Sequence, residues 1–362
     1  MMKKIAIAVA ALPAAFAAQA QSGVTLYGLV DAGVEVVNHA SATGGSVTRL
    51  TSGGMNTSRW GVRGSEDLGG GLKAVFQLES GIFIDNGSVD TPSSVPNGLF
   101  RRQANVGLEG AFGRIIAGRS YTTAYDFILP FDPMGYSPAY SWATASNGTT
   151  AAASSAYGMT TAFDNILKYT GTFGGFKVGA SYGFGEVAGA SGAGRRYALA
   201  VGYGAGPFTV ALTGERINGT QNPTPRDETT AYHAGLGWQL NKDVALKAGA
   251  RYYKMERASG AAELRANTYW VGANWQATPA LGLSAALYYL DQRNLATEAD
   301  PKMLVLRARY ALSKRTDLYA TAGHARAKNG QSVALTRDVS PQGVTGFRDT
   351  QTGVIVGVQH RF

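Results

Sequence analysis

The sequence predicts an all-β protein, a 16-stranded antiparallel transmembrane β-barrel, and three observations carry that expectation. Apolar and polar residues alternate in repeated segments of about ten residues, as in membrane strands with one lipid face and one watery face. Seven short turn signals punctuate these segments. The composition also fits: 48 Gly, 18 Tyr, 14 Phe, no Cys and only 16% charged residues, at a mean hydropathy of −0.08. No run of 18 apolar residues follows residue 20, which excludes helical spans of about 20 apolar residues each. The absence of Cys excludes disulfides, Cys-ligated zinc and cysteine nucleophiles.

The elements follow in chain order. Lys3-Lys4, the apolar run Ile5 to Phe16 and then Ala18-Gln19-Ala20 form a secretory signal pattern. Residues 1–20 are therefore expected to be removed before Gln21, leaving 21–362 as one barrel domain. Only Lys3 and Lys4 leave with it, so 31 basic face 24 acidic side chains, net +7. Export excludes nucleic acid and cytosolic cofactors as partners. Alternation is plain in Leu72–Glu79, Phe176–Phe184, Phe208–Glu215, Tyr232–Leu240, Val244–Tyr253, Tyr269–Gln276 and Leu304–Leu312. The turns are Gly69-Gly70-Gly71, Gly110–Gly113, Gly174-Gly175, Gly206-Pro207, Asn241-Lys242-Asp243, Pro279–Gly282 and Ser313-Lys314-Arg315. Seven short turns and eight longer loops give 16 strands when both termini lie on the short-turn side. Successive turns stand about 32 to 42 residues apart, except for about 60 between Gly113 and Gly174. The excess falls at about 121–161, a long third loop expected to fold into the interior and narrow it.

Enzyme chemistry finds no support. His39, His233, His324 and His360 are scattered, and no GxSxG elbow occurs. Gly69-Gly70-Gly71-Leu72-Lys73 lacks phosphate-loop spacing and precedes a strand. No cofactor or metal is implied. The basic residues say more. Trp60, Val62 and Gly64 share one strand face, which puts Arg59 and Arg63 on the other. An arginine on a lipid face costs about 2–4 kcal/mol at the midplane, so this pair belongs inside. Lys73 lies on the inner face of the next strand, one of Arg101 and Arg102 must point inward, and Lys168 shares a face with Ile166 and Thr170.

The stretch Ser58-Arg59-Trp60-Gly61-Val62-Arg63-Gly64-Ser65-Glu66-Asp67-Leu68-Gly69-Gly70-Gly71-Leu72-Lys73-Ala74 resembles a strand hairpin of Gram-negative general porins of the beta-proteobacterial type. Val24–Gly28, Arg102–Leu108, Phe112-Gly113-Arg114, Gly118–Tyr121, Asp164–Tyr169, Gly179–Phe184 and the closing Val356–Phe362 extend the resemblance along the whole chain. It implies a homotrimer of barrels in the outer membrane, assembled there by the barrel-assembly machinery. Each barrel would hold a water-filled pore for passive diffusion of ions and small hydrophilic solutes; at least four basic candidates against two acids, with the mature +7, predict a mild anion preference. The alternative is a substrate-specific channel for an anionic solute.

By position, the resemblance assigns Arg59 and Arg102 to the pore constriction wall, with Arg63, Lys73 and Lys168 as neighbours and Arg119 as a further wall residue near the loop hinge. Asp126 and Asp132 are the acidic residues of the constriction loop, and Phe362 is the assembly signal. One departure stands out. Relatives often carry Arg before the Asp164-Asn165 stretch, where this chain has Thr161-Ala162-Phe163. That wall charge is either absent or supplied by Lys168.

Overall fold

A computed structural model describes residues 23–90, 98–144, 158–221, 226–294, 298–336 and 344–362. The expected signal segment 1–20 lies outside the described residues. The strands are β1 Gly23–Val37, β2 Val47–Ser52, β3 Arg59–Gly69, β4 Leu72–Gly81, β5 Gln103–Gly110, β6 Gly113–Tyr121, β7 Ala162–Phe173 and β8 Phe176–Gly183. They continue as β9 Arg196–Ala205, β10 Phe208–Asn218, β11 Glu228–Gln239, β12 Val244–Glu256, β13 Leu264–Gln276, β14 Leu281–Gln292, β15 Lys302–Ala311, β16 Thr316–Arg326 and β17 Thr350–Arg361. Each pairs antiparallel with its neighbours, and β1 pairs with β17 from Leu29↔Arg361 to Val37↔Gly353, which closes the sheet into a barrel.

The 17 strands make 16 staves, because β2 and β3 lie on the same side of β1. β3 pairs with its first half and β2 with its second. Asp31 on β1 interrupts this stave. Its carboxylate accepts from the amides of Met55 (3.1 Å) and Asn56 (2.7 Å), and its backbone carbonyl accepts from Gly53 (2.8 Å). Residues 53–58 therefore serve a side chain instead of the ladder.

All seven short turns sit where the sequence puts them, with both ends of the described barrel, Gly23 and Phe362, on the same rim. The first is the tightest: Gly69, Gly70 and Gly71 all have positive φ (86°, 62° and 79°), a region that only Gly enters without strain. The Asp67 carboxylate accepts from the Gly69 amide at 2.9 Å and caps the reversal. In barrels of this kind short turns face the periplasm and long loops the exterior.

Alternation fixes the faces. Along β11, Tyr232, Leu236 and Trp238 are exposed outward, while His233, Gly235 and Gly237 point in and are buried. Stacked aromatics mark two outer belts: Phe208 on Trp238 near the turns, and Tyr269 on Tyr289 near the loops. Between Trp238 and Tyr232 lies about 20 Å of strand. The core therefore sits inside the barrel, where the segment after β6 packs. This segment comprises α1, Thr123–Ile128, a 3-10 turn, Leu129–Phe131, and the buried stretch that follows. No helix is long and apolar enough to cross a membrane among the described residues.

Candidate functional site

β3 and β4 run with Gly61 opposite Glu79 and Arg63 opposite Gln77, which places Arg59, Arg63, Gln77 and Glu79 on one inner face. Glu79 is the hub. It accepts from Tyr27 (2.9 Å), Tyr121 (2.8 Å) and Arg102 Nε (2.8 Å), and Arg59 Nε stands 3.8 Å away. Gly61 makes room for this: a Cβ there would lie 2.8 Å from the Tyr27 hydroxyl. The guanidinium of Arg102 lies over the Tyr121 ring at 5.4 Å, and that of Arg63 over Tyr27 at 5.0 Å. Cation–π stacking holds both planes in place. The Glu79 side chain is 5% exposed, that of Arg102 10% and that of Arg59 28%, so the carboxylate and Arg102 stand behind Arg59 and the aqueous surface is positive.

Arg102 belongs to a bend before β5, outside the strand. Its amide donates to the Glu79 carbonyl at 3.2 Å. Arg101 pairs instead with Asp90. Of the two adjacent arginines, Arg102 is the one that joins the cluster.

The other expected residues divide. Lys168 is inward on β7; its ammonium donates to the Tyr121 carbonyl at 2.8 Å and pairs with Asp126. The acidic residue of α1 is thus held by a lysine beside the cluster. Lys73 is inward but opposite Glu109, near the turn rim and about 20 Å of strand from Glu79. Arg119 differs from its expected place on the pore wall. Its register partner Ala104 faces outward, so Arg119 does too, and it pairs with Asp164 at 2.6 Å.

Asp132 also departs from its expected role as an acid facing the arginines. It is fully buried and accepts from Tyr136 N (2.7 Å), Met134 N (3.2 Å), Ser141 Oγ (2.7 Å) and Tyr288 OH (2.5 Å). Its oxygens are consumed in folding residues 132–141 and fixing them to β14.

That segment is pinned to the inner wall at many points. Trp270 on β13 donates to the Phe131 carbonyl (3.0 Å) and Asn274 to that of Pro133 (2.8 Å). Arg251 on β12 reaches the Ala143 carbonyl (2.7 Å). Arg307 on β15 reaches the Met134 carbonyl (3.2 Å) and Ser137 Oγ (2.8 Å). Tyr140 donates to Glu35 on β1 (3.0 Å). Burial first, and the Glu35 carboxylate second, push the Tyr140 hydroxyl far above its ordinary range and keep it a donor. Inward glycines allow the close approach: a Cβ at Gly179 would lie 2.6 Å from the Phe127 ring, and one at Gly272 2.7 Å from Pro133. The expected loop's residues 145–157 lie outside the described residues.

Sequence reasoning did not single out Glu79, Tyr27, Tyr121, Arg251 or Arg307. Alternation along β4 already put Glu79 on the polar face with Lys73. What was missing was the register between β3 and β4 and the bend before β5, which surround it with arginines. At the departure noted above, Phe163 carries the Arg196 guanidinium over its ring at 4.3 Å, so a cation reaches that position from β9.

A closed 16-stave barrel with an inward-packed segment and a clustered basic wall is now joined by direct likeness. Residues 6–330 match the sequence profile of Gram-negative porins. The chain belongs to that family. This porin is 35% identical to outer membrane porin protein 32 of Delftia acidovorans and 31% identical to an outer membrane porin of Bordetella pertussis, each match covering the whole of both chains. Its fold resembles that of the anion-selective porin from Comamonas acidovorans, with a TM-score of 0.78 at 28% identity, covering 94% of this chain and all of that one. The porin is an outer-membrane protein, and its barrel is a passive pore. Among the described residues no group of three or more His, Asp or Glu side chains is placed to hold a metal ion.

Proposed function

We propose that this porin is a general-diffusion pore with a mild anion preference, set at a constriction between the wall residues Arg59, Arg63 and Arg102 and the inward-packed third loop. The observation that carries this reading is the layering at Glu79: one recessed carboxylate serves two arginines, and Arg63 stacks nearby on Tyr27. A hydrated anion meets positive charge first. A cation meets the same charge with its counter-charge one layer back, and pore lining and width then select. Asp126, neutralised locally by Lys168, adds little opposing field. The likeness to an anion-selective porin supports the same direction.

In this reading the mature chain begins at Gln21 and three copies assemble in the outer membrane. Phe362, whose backbone exchanges two 3.1 Å hydrogen bonds with Gly28, is the terminal residue read during assembly. Reversal potential in a planar bilayer under a salt gradient tests the preference. A value on the anion side supports it, and one on the cation side overturns it.

A further inference from the structure

Below the third loop, toward the short-turn rim, the inner wall holds a polar recess of about 380 Å³. Its ceiling is the underside of the loop at Pro133, Met134 and Gly135, and its wall carries Lys247, Arg309 and Arg361. Gly135 is exposed, with φ +64°, and a Cβ there would meet nothing within 4 Å, so this stretch of loop borders open space.

The charges around this space do not cancel. Asp132 lines it but is buried and already accepts from four donors. Asp243 lies at the turn with Lys242 3.9 Å away. Asp317 sits between Arg361 (2.9 Å) and Arg309 (3.9 Å), one carboxylate for two guanidiniums that remain about 40% exposed. Arg307, also lining the recess, is spent on the loop and on Thr321. Lys247 makes no ion pair among the described residues, although it stands on an inner face opposite Gly272, beneath Pro133.

The recess is also in line with the constriction. Arg361 on β17 and Arg59 on β3 both lie opposite Leu29 of β1, one on each side. Two strand spacings put their backbones about 10 Å apart.

We propose that Lys247, Arg309 and Arg361 form a second anion station on the turn side of the third loop, which receives small multivalent anions such as carboxylates or phosphates passing Arg59. The inference rests on the pore reading above and adds to it a site with its own occupancy. An anion here gains two guanidinium faces that share one carboxylate and an ammonium that makes no ion pair among the described residues and faces only the buried charge of Asp132. Monovalent chloride is held weakly, whereas a di- or trianion that engages two of the cations together stays longer.

Citrate serves as the probe. In planar bilayers in potassium chloride, citrate added to the turn-side chamber is expected to block single-channel current at lower concentration than citrate added to the loop side. The double variant Lys247→Gln, Arg309→Gln is expected to weaken the turn-side block by about fivefold for each charge removed, since a unit charge pair at 4 Å is worth about 1 kcal/mol even in water. Lys247→Arg, which keeps the charge, should block like the unaltered chain. Channels of normal conductance that citrate blocks equally in the unaltered chain and the double variant, or does not block at all, would overturn the second station and leave the pore reading standing. A folded barrel that gives no conductance steps would overturn both.

Discussion

Glu79→Gln separates the layered-wall explanation from a simple count of charges. The substitution keeps the shape and leaves one acceptor oxygen, for either Tyr27 or Tyr121, with an NH2 facing the other hydroxyl, and it removes the carboxylate that Arg102 and Arg59 share. Two consequences follow. Arg102 is 9% exposed, and removing one partner of a buried ion pair costs about 3–5 kcal/mol, so the folded barrel should melt at lower temperature. The pore should also become more anion-preferring. For an ion passing at about 7 Å, loss of a unit negative charge in water favours an anion by about 0.6 kcal/mol and disfavours a cation equally. That is about threefold for each, or a shift in the permeability ratio of about sevenfold. Reversal potential under a tenfold potassium chloride gradient reads this directly, and heat-dependent gel mobility reads the stability. An unchanged reversal potential, or one displaced toward cations, would refute the claim that Glu79 stands in the field of the constriction. Arg59 and Arg102 would then act from elsewhere.

Four further outcomes are expected. Arg59→Ser with Arg102→Ser should weaken the anion preference and raise single-channel conductance, measured in the same bilayers. Gly235→Val should displace the third loop, because even a Cβ there would overlap the Phe131 ring; altered conductance with a normal barrel circular dichroism spectrum is the sign. Tyr288→Phe takes the hydroxyl donor from buried Asp132, a loss of about 1–3 kcal/mol, and should appear as increased open-channel current noise. Deleting Phe362 removes the pair of hydrogen bonds to Gly28 beside the barrel seam and should lower the yield of folded barrel, measured by heat-modifiable mobility.

What could be read from the sequence, and what could not, divides along the range of the interactions. A turn is local: Gly69-Gly70-Gly71 needs only positive φ and an Asp67 cap, so all seven short turns were visible. Face is nearly local, since alternation along one strand decides it, and this gave Arg59, Arg63 and Lys168 their inward places. Where the backbone leaves the strand, alternation stops. Arg102 stands on a bend, and a bulge at Gly118–Ser120 accompanies the turn of Arg119 toward Asp164 on the outer side. Function here depends on a longer-range term, the register between strands. It brings residues 27, 59, 102 and 121 around the Glu79 carboxylate and, where the barrel closes, Arg361 to within two strand spacings of Arg59. The same holds for Asp132. As a carboxylate in a long loop it had the chemistry of a pore acid; three donors from residues 134–141 fold the loop around it, and Tyr288, 156 residues later, ties it to the wall. Charge type is therefore a weak guide to selectivity in such a wall. What matters is which side of each ion pair is left in water, and in this porin the side left in water is positive.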